Sequence, residues 1–218
     1  LEFSKYIGQG NPIEYKGVIL AGFDKIRKAE ISQYEEKFAA IDNKVKDHSG
    51  HKILLLHQGI TEFNKFAGEL QSTDLPKNFT YYAMGHLHDK DVKQFNHLSG
   101  PVAYPGSIEL TTSEGIKGTK KGFFEVDISG KDAIPNWVEL DARPQISFKT
   151  EYQDLAKTIE EISEKIVTEG KKPIVEVKIQ GENIETDHIQ AQIARLNSLV
   201  LRCFWRISTK QVSNSSVF

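Results

Sequence analysis

The chain has a single cysteine, Cys203, among 218 residues. An internal disulfide is therefore excluded, and a reducing cytosolic setting is expected. Long hydrophobic runs are also missing. The most apolar stretch, Ile53 to Leu56, is far too short to cross a bilayer, so no membrane-spanning helix and no membrane partner are expected. Nor is there an excess of either charge, with 28 Lys+Arg against 30 Asp+Glu. Neither side of the Arg143-Pro144 dipeptide is basic overall, which argues against a simple electrostatic nucleic-acid module and leaves room only for a local patch. Methionine occurs once, at Met84, and the chain opens on Leu1. Both facts are expected of a piece cut from a longer protein. No internal repeat or low-complexity tract is present.

What is there reads as alternating strands and helices. The run "KGVILAGFD" (16–24) predicts a buried strand, and "KILLLHQG" (52–59) a strand covered on both faces with His57 at its carboxyl end. Between them, residues 32–46 predict a helix. Ser32 and Glu35 form a capping box, and Tyr34, Phe38, Ile41 and Val45 share one face. "FTYYAM" (79–84) predicts the next strand, reached through a helical or irregular segment at 62–70. Residues 92–107, 122–131 and 134–140 read as short strands with Ser-Gly and Pro-Gly turns, expected to form a second sheet of antiparallel hairpins. Beyond Arg143-Pro144 the expectation is a separate α/β unit: strand 145–149, helix 154–168, strand 173–180, helix 186–197 and strand 199–207. In that last strand Leu199, Leu201, Cys203, Trp205 and Ile207 alternate onto an apolar face. The expected domains are 1–144, 145–207 and a polar tail at 208–218.

Three histidines stand out against this frame. His57, His86 and His88 all fall just past the carboxyl ends of predicted strands, the edge where α/β proteins gather ligands. Neutral imidazole suits zinc, manganese or iron. A centre with two hard divalent ions also needs carboxylates, which this trio does not supply. His48, His51, His97 and His188 have no motif around them and read as surface, turn or core residues. Asp89 and Asp91 follow the histidine pair and read mainly as loop-solvating residues. Arg202 and Arg206 are expected to pair with Glu176 across a sheet rather than with phosphate.

The ordered set "ILLLHQG", "MGHLH", "AYPGSIE" and "KGFFEVDI" resembles the later motifs of calcineurin-like metallophosphoesterases. Within that superfamily it is most similar to the SbcD-type nuclease of double-strand-break repair, the meiotic-recombination-eleven family. The likeness covers nearly the whole chain. It implies a two-sheet metallophosphoesterase sandwich, incomplete at its N-terminus, followed by a small α/β capping domain. The family's earlier motifs, D-x-H, G-D and G-N-H-D, are absent here, and with them the bridging aspartate and the histidine that assists the leaving group. No catalytic residue is therefore expected in this chain, which should be inactive alone. The resemblance implies that His57 and His86 bind one ion and His88 the other, in a parent enzyme with two Mn2+ ions. That parent would cleave DNA as a 3′-to-5′ exonuclease and single-strand endonuclease. It would be nucleoid-associated in a prokaryotic cytoplasm, homodimeric, and partnered by an SMC-like repair ATPase of the Rad-fifty/SbcC type. This piece alone is expected to be a monomer. Tyr104 and Ser107, in the "YPGS" turn, resemble family positions near the site, and Lys117, Lys120 and Lys121 form a local basic cluster suited to a phosphate backbone. Two other functions fit the same residues: a phosphatase or small-molecule phosphodiesterase of the superfamily, and a DNA-binding scaffold without chemistry.

Overall fold

The computed structural model describes residues 5–109, 120–167 and 170–208. The chain divides into two compact units. The first comprises Leu1–Ile108 with Lys120–Leu140, and Asp141–Phe218 falls in the second.

In the first unit, strands β1 (Ile13–Tyr15), β2 (Val18–Phe23), β3 (Lys52–His57), β4 (Tyr81–Gly85), β5 (Asp91–Lys93) and β6 (Val102–Tyr104) form one sheet in the order β1-β2-β3-β4-β6-β5. The four central strands run parallel, and β1 and β5 close the edges antiparallel. Helix α1 (Tyr34–Val45) covers one face. Alternate residues of each strand point at it: Ala21 and Phe23, Leu54 and Leu56, Tyr82 and Met84, Val102 and Tyr104 all share a core with Phe38, Ile41 and Val45. Phe23 meets Phe38 edge-on with ring centroids 5.1 Å apart. The other face carries a second, two-stranded sheet of β7 (Gly122–Asp127) and β8 (Ile134–Glu139). Phe124 and Val126 pack there against Tyr81, Ala83, Ala103 and Ile53.

Three sequence expectations change here. Strand β3 is not buried on both faces, since Leu55 is 39% exposed. The β7–β8 hairpin covers the Tyr81–Ala103 part of the sheet and stops short of Leu55. The segment 92–107 belongs to the first sheet, not the second. Val102, Ala103 and Tyr104 are buried on both sides, so their strand lies inside a sheet, parallel to β4. Ser32 is not the cap of α1. A 3-10 turn over Lys28–Gln33 leads into the helix, and no side chain caps it. At this entry Ile31, partly buried, packs against the core.

The second unit is a three-stranded parallel sheet, β9 (Gln145–Glu151), β10 (Ile174–Gln180) and β11 (Arg202–Ile207), in the order β11-β10-β9. Helices α2 (Leu155–Ile166) and α3 (Thr186–Ala194) cover one face. The expected stripe of Leu155, Ile159, Ile162 and Ile166 is buried against Val175, Val177 and Ile179. On the open face Glu176 accepts from Ser147 and pairs with Lys178 at 3.1 Å and Arg206 at 3.0 Å. Arg202 lies over the Phe204 ring, so both arginines have structural contacts. The final strand departs from the expected alternation. Leu199 and Val200 donate to the Leu196 carbonyl in a turn, and the strand begins only at Arg202. Val200 is buried in consequence, while Leu201 and Ile207 are exposed.

Ile159 is one of the fully buried residues in the core of this unit. Ile159→Ala is expected to cost about 2–5 kcal/mol, whereas Val167→Ala, on an exposed side chain, should stay within about 0.5 kcal/mol. Urea unfolding followed by far-UV circular dichroism measures both.

Candidate metal centre at the carboxyl edge of the first sheet

Parallel pairing of β2, β3 and β4 brings their carboxyl ends to one edge. His57 is the last residue of β3 and lies in register beside Gly85, the last residue of β4. That glycine is a spatial necessity. A Cβ on Gly85 would stand 2.7 Å from His57 Nδ1, so any other residue would push the imidazole away. The next residue, His86, has φ +93°. Such a backbone is strained for a side chain as large as histidine, and strain of this kind concentrates at functional positions. The turn carries the His86 ring to 5.5 Å from the His57 ring, centroid to centroid, at 66°.

His88 lies further along the same loop and is exposed. Its backbone carbonyl accepts the Ser107 N–H at 3.2 Å and the Lys121 ammonium at 3.1 Å. Gly106, at φ +80°, lets the "YPGS" turn come this close, because a Cβ there would fall 2.7 Å from the same carbonyl. Tyr104, at the start of that turn, is fully buried. Its hydroxyl donates to the Gln58 carbonyl at 2.6 Å and accepts the Ile60 N–H at 3.0 Å. One turn thus fixes both histidine loops. Ser107 acts here through its backbone, Tyr104 from the core, and Lys121 is only 3% exposed. All three lie against the histidine edge. Lys120 is exposed and pairs with Glu139 at 2.9 Å, and Lys117 lies outside the described residues.

Three further residues belong to this edge. Gln58 is fully buried. Its Oε1 accepts the Ile26 N–H at 2.6 Å, and its Nε2 donates to the Ile26 carbonyl and to Glu69, each at 3.1 Å. Glu69 also accepts the Gly59 N–H at 3.3 Å and pairs with Lys25 at 3.3 Å. The Lys25 ammonium in turn lies 3.2 Å from His86 Nδ1. The sequence reading passed over all three. Its one available signal was Gln58, an amide directly after four apolar residues and a histidine. Burial, followed by the Lys25 charge, holds the His86 imidazole below the ordinary histidine pKa, with Glu69 opposing.

The donor chemistry suits a divalent ion in part. Neutral imidazoles from two loops meet at one edge, one of them cradled by a missing Cβ, and a positive charge already faces His86. Among the described residues, however, no group of three His, Cys, Asp or Glu side chains is gathered tightly enough to hold an ion. The open depression beside His57, about 370 Å³ and lined by Leu55, Tyr81, Ala83 and Phe124, brings no carboxylate to it. The remaining histidines serve structure. His51 bridges Thr80 and the Gly130 carbonyl, and His48 bonds the Gly17 carbonyl. His97 packs on Phe95, and His188 on Tyr152.

Tyr104→Phe tests the frame beneath the histidines. It strands a buried carbonyl and a buried N–H, an expected loss of about 1–3 kcal/mol. Hydrogen exchange should show the Ile60 amide losing protection while amides in β4 keep theirs.

No protein-family profile matches the chain. It is 30% identical over 194 residues to the DNA double-strand break repair protein Mre11 of Sulfurisphaera tokodaii, a match covering 84% of this chain and 49% of that protein. To the protein of the same name from Methanocaldococcus jannaschii it is 33% identical over 169 residues, or 76% of this chain and 45% of the relative. With that of Saccharolobus solfataricus the identity is 28% over 229 residues, covering 99% and 58%. The chain spans about half the length of the curated relatives it matches. Among the described residues no helix is long and apolar enough to cross a membrane. By the extent of these matches and its α/β architecture, the chain belongs to the Mre11/SbcD family of the metallophosphoesterase type.

Proposed function

We propose that this chain is the C-terminal part of a manganese-dependent DNA nuclease of double-strand-break repair, with His57, His86 and His88 contributing imidazoles to a two-ion phosphodiesterase centre. The observation that carries the reading is His86 itself. A histidine held at φ +93°, beside a glycine that makes room for a second histidine, is a strained arrangement that packing alone does not demand. The family relationship supports phosphodiester bonds of DNA as the substrate and an SMC-like ATPase and a second copy as partners of the longer protein.

When bound, paired divalent ions supply charge neutralisation at the phosphoryl oxygens and a more acidic attacking water. The chain's own part is positional. The sheet edge presents the imidazoles, Gly85 and Gly106 permit their close approach, and Tyr104 with Gln58 anchors the loop between His57 and Ile60. The carboxylates that such a centre needs are not among the three histidines, so complete ion binding and cleavage are assigned to the longer protein. A DNA-binding scaffold is the second reading. It is favoured by the lack, among the described residues, of a tight group of three metal-binding side chains. A scaffold would bind DNA with strong salt dependence after His57, His86 and His88 are all replaced by alanine.

The decisive assay uses the full-length protein. Mn2+-dependent cleavage of hairpin and single-stranded DNA should collapse in His88→Ala, with an unchanged circular dichroism spectrum. Undiminished cleavage would remove His88 from the ligand set. Strain at His86 gives a second expectation. His86→Gly should leave stability unchanged or raise it by up to about 1 kcal/mol, because glycine accepts the positive φ. It should abolish cleavage nonetheless. A large destabilisation in the urea midpoint would show that the imidazole is retained for packing.

A further inference from the structure

Helices α2 and α3 cover one face of the β9–β10–β11 sheet, and the described elements of this unit leave the other face open. Parallel register decides what that open face carries. Lys178 in β10 lies beside Lys149 in β9 and beside Arg206 in β11, so three cations stand in one row across the sheet. Neighbouring strands are about 4.8 Å apart, and like charges placed opposite one another destabilise a sheet. The next row holds Ser147, Glu176 and Phe204, and the one after it Gln145, Ile174 and Arg202. Glu176 pairs with both Lys178 and Arg206, and one carboxylate leaves those two with a surplus of charge. Among the described residues no carboxylate lies within ion-pair distance of Lys149 or Arg202, and both side chains are exposed. Glu151 closes the face at its far end, beside Gln180. Four cations thus share a face with two carboxylates, in a chain whose overall charge is −2. Phe204 stands among them, partly exposed, with the Arg202 guanidinium 4.5 Å from its ring centroid.

We propose that this open face binds single-stranded nucleic acid, with Lys149, Lys178, Arg202 and Arg206 holding the phosphate backbone and Phe204 stacking on an unpaired base. Stability does not call for a row of like charges. A polyanion laid across the strands relieves their repulsion and gains from the release of counterions. The aromatic ring decides which polyanion fits. A duplex keeps its bases paired and stacked, and would offer the face phosphates alone. An acidic peptide would meet the cations and leave the ring without a planar partner. A single strand presents both complements at once, charge along its backbone and a flat π-surface on each base. The sheet holds cations and ring on one surface, because alternate residues of hydrogen-bonded strands point to the same side. The site lies in the second unit and does not depend on the histidine edge.

Charge and stacking leave different signatures in a salt titration. Fluorescence anisotropy of a labelled oligodeoxythymidine with the 218-residue chain is the test, with circular dichroism as the check on folding. Lys149→Gln and Arg202→Gln should each weaken binding and flatten the slope of log affinity against log salt by about 0.7. Lys149→Arg should keep both affinity and slope. Phe204→Leu should weaken binding roughly tenfold at every salt concentration and leave the slope unchanged, while Phe204→Trp should retain it. Lys157→Gln removes an exposed charge from α2, on the covered side of the sheet, and should change nothing. No binding by the unmodified chain overturns the proposal, as does an equal loss in Lys157→Gln and Lys149→Gln. So does undiminished binding by folded Phe204→Leu. Competition by duplex DNA or by poly-glutamate as effective as that of unlabelled single strand would mark a surface for any polyanion, an acidic protein segment included, and overturns it too. The nuclease reading is untouched by any of these failures, since it stands or falls on Mn2+-dependent cleavage by the full-length protein.

Discussion

No side-chain carbon can stand beside His57 on the neighbouring strand, and the rest of the candidate site follows from that. Parallel pairing forces His57 and residue 85 side by side at the end of two strands. Once residue 85 is glycine, the exposed imidazole can lie against the end of the neighbouring strand. The chain then has to leave the sheet at once, and it does so through a left-handed turn at His86. A glycine at 86 would make that turn without strain. A histidine there costs conformational energy and returns an imidazole 5.5 Å from the first. The strain is local, but it is held by contacts elsewhere in the sheet.

Those contacts come from β6 and the turn behind it. Tyr104 is buried under the edge and ties the loop after β3 through two hydrogen bonds. Two residues on, Gly106 and the Ser107 N–H close on the carbonyl of His88. The Lys121 ammonium, brought in by the start of the second sheet, shares that carbonyl. The histidine loops are therefore held from below by a phenol and from the side by a lysine. This frame also explains why β6 must lie inside the sheet: a strand at the rim could not deliver Tyr104 under β3.

Much of this was legible in the sequence because it is periodic. The α2 stripe and the apolar face of α1 repeat at fixed intervals, and burial followed the interval. The placement of His57, His86 and His88 at one edge was legible for the same reason, since strand ends are where apolar runs stop. Less legible were the partners of individual residues. Lys121 looks like a surface cation beside Lys120, yet only one of the two lies buried. Tyr104 resembles a residue at the site and acts one layer beneath it. Leu201 keeps the alternation on paper, but the strand has not yet begun at that position. Lys25, Gln58 and Glu69 are separated by 33 and 11 positions in sequence and meet only after β2 and β3 pair. No local pattern can announce such a network.

Charge closes the argument about what this edge requires. Among the described groups nearest the histidines, Lys25 and Lys121 are cationic, Glu69 is the one carboxylate bonded to this network, and the imidazoles are neutral ligands. A divalent ion placed on such an edge adds positive charge where two ammonium groups already stand. Neutral imidazole gives it bonds but no compensating charge, and Glu69 already balances Lys25. A pair of ions would double the deficit, and a phosphodiester supplies only one negative charge in return. Histidine motifs of this kind therefore need carboxylates brought in from other loops, for electrostatic reasons as much as for coordination number. Carboxylates so placed would complete the two-ion centre proposed for the longer protein. In this chain the Lys25 ammonium rests between His86 and Glu69.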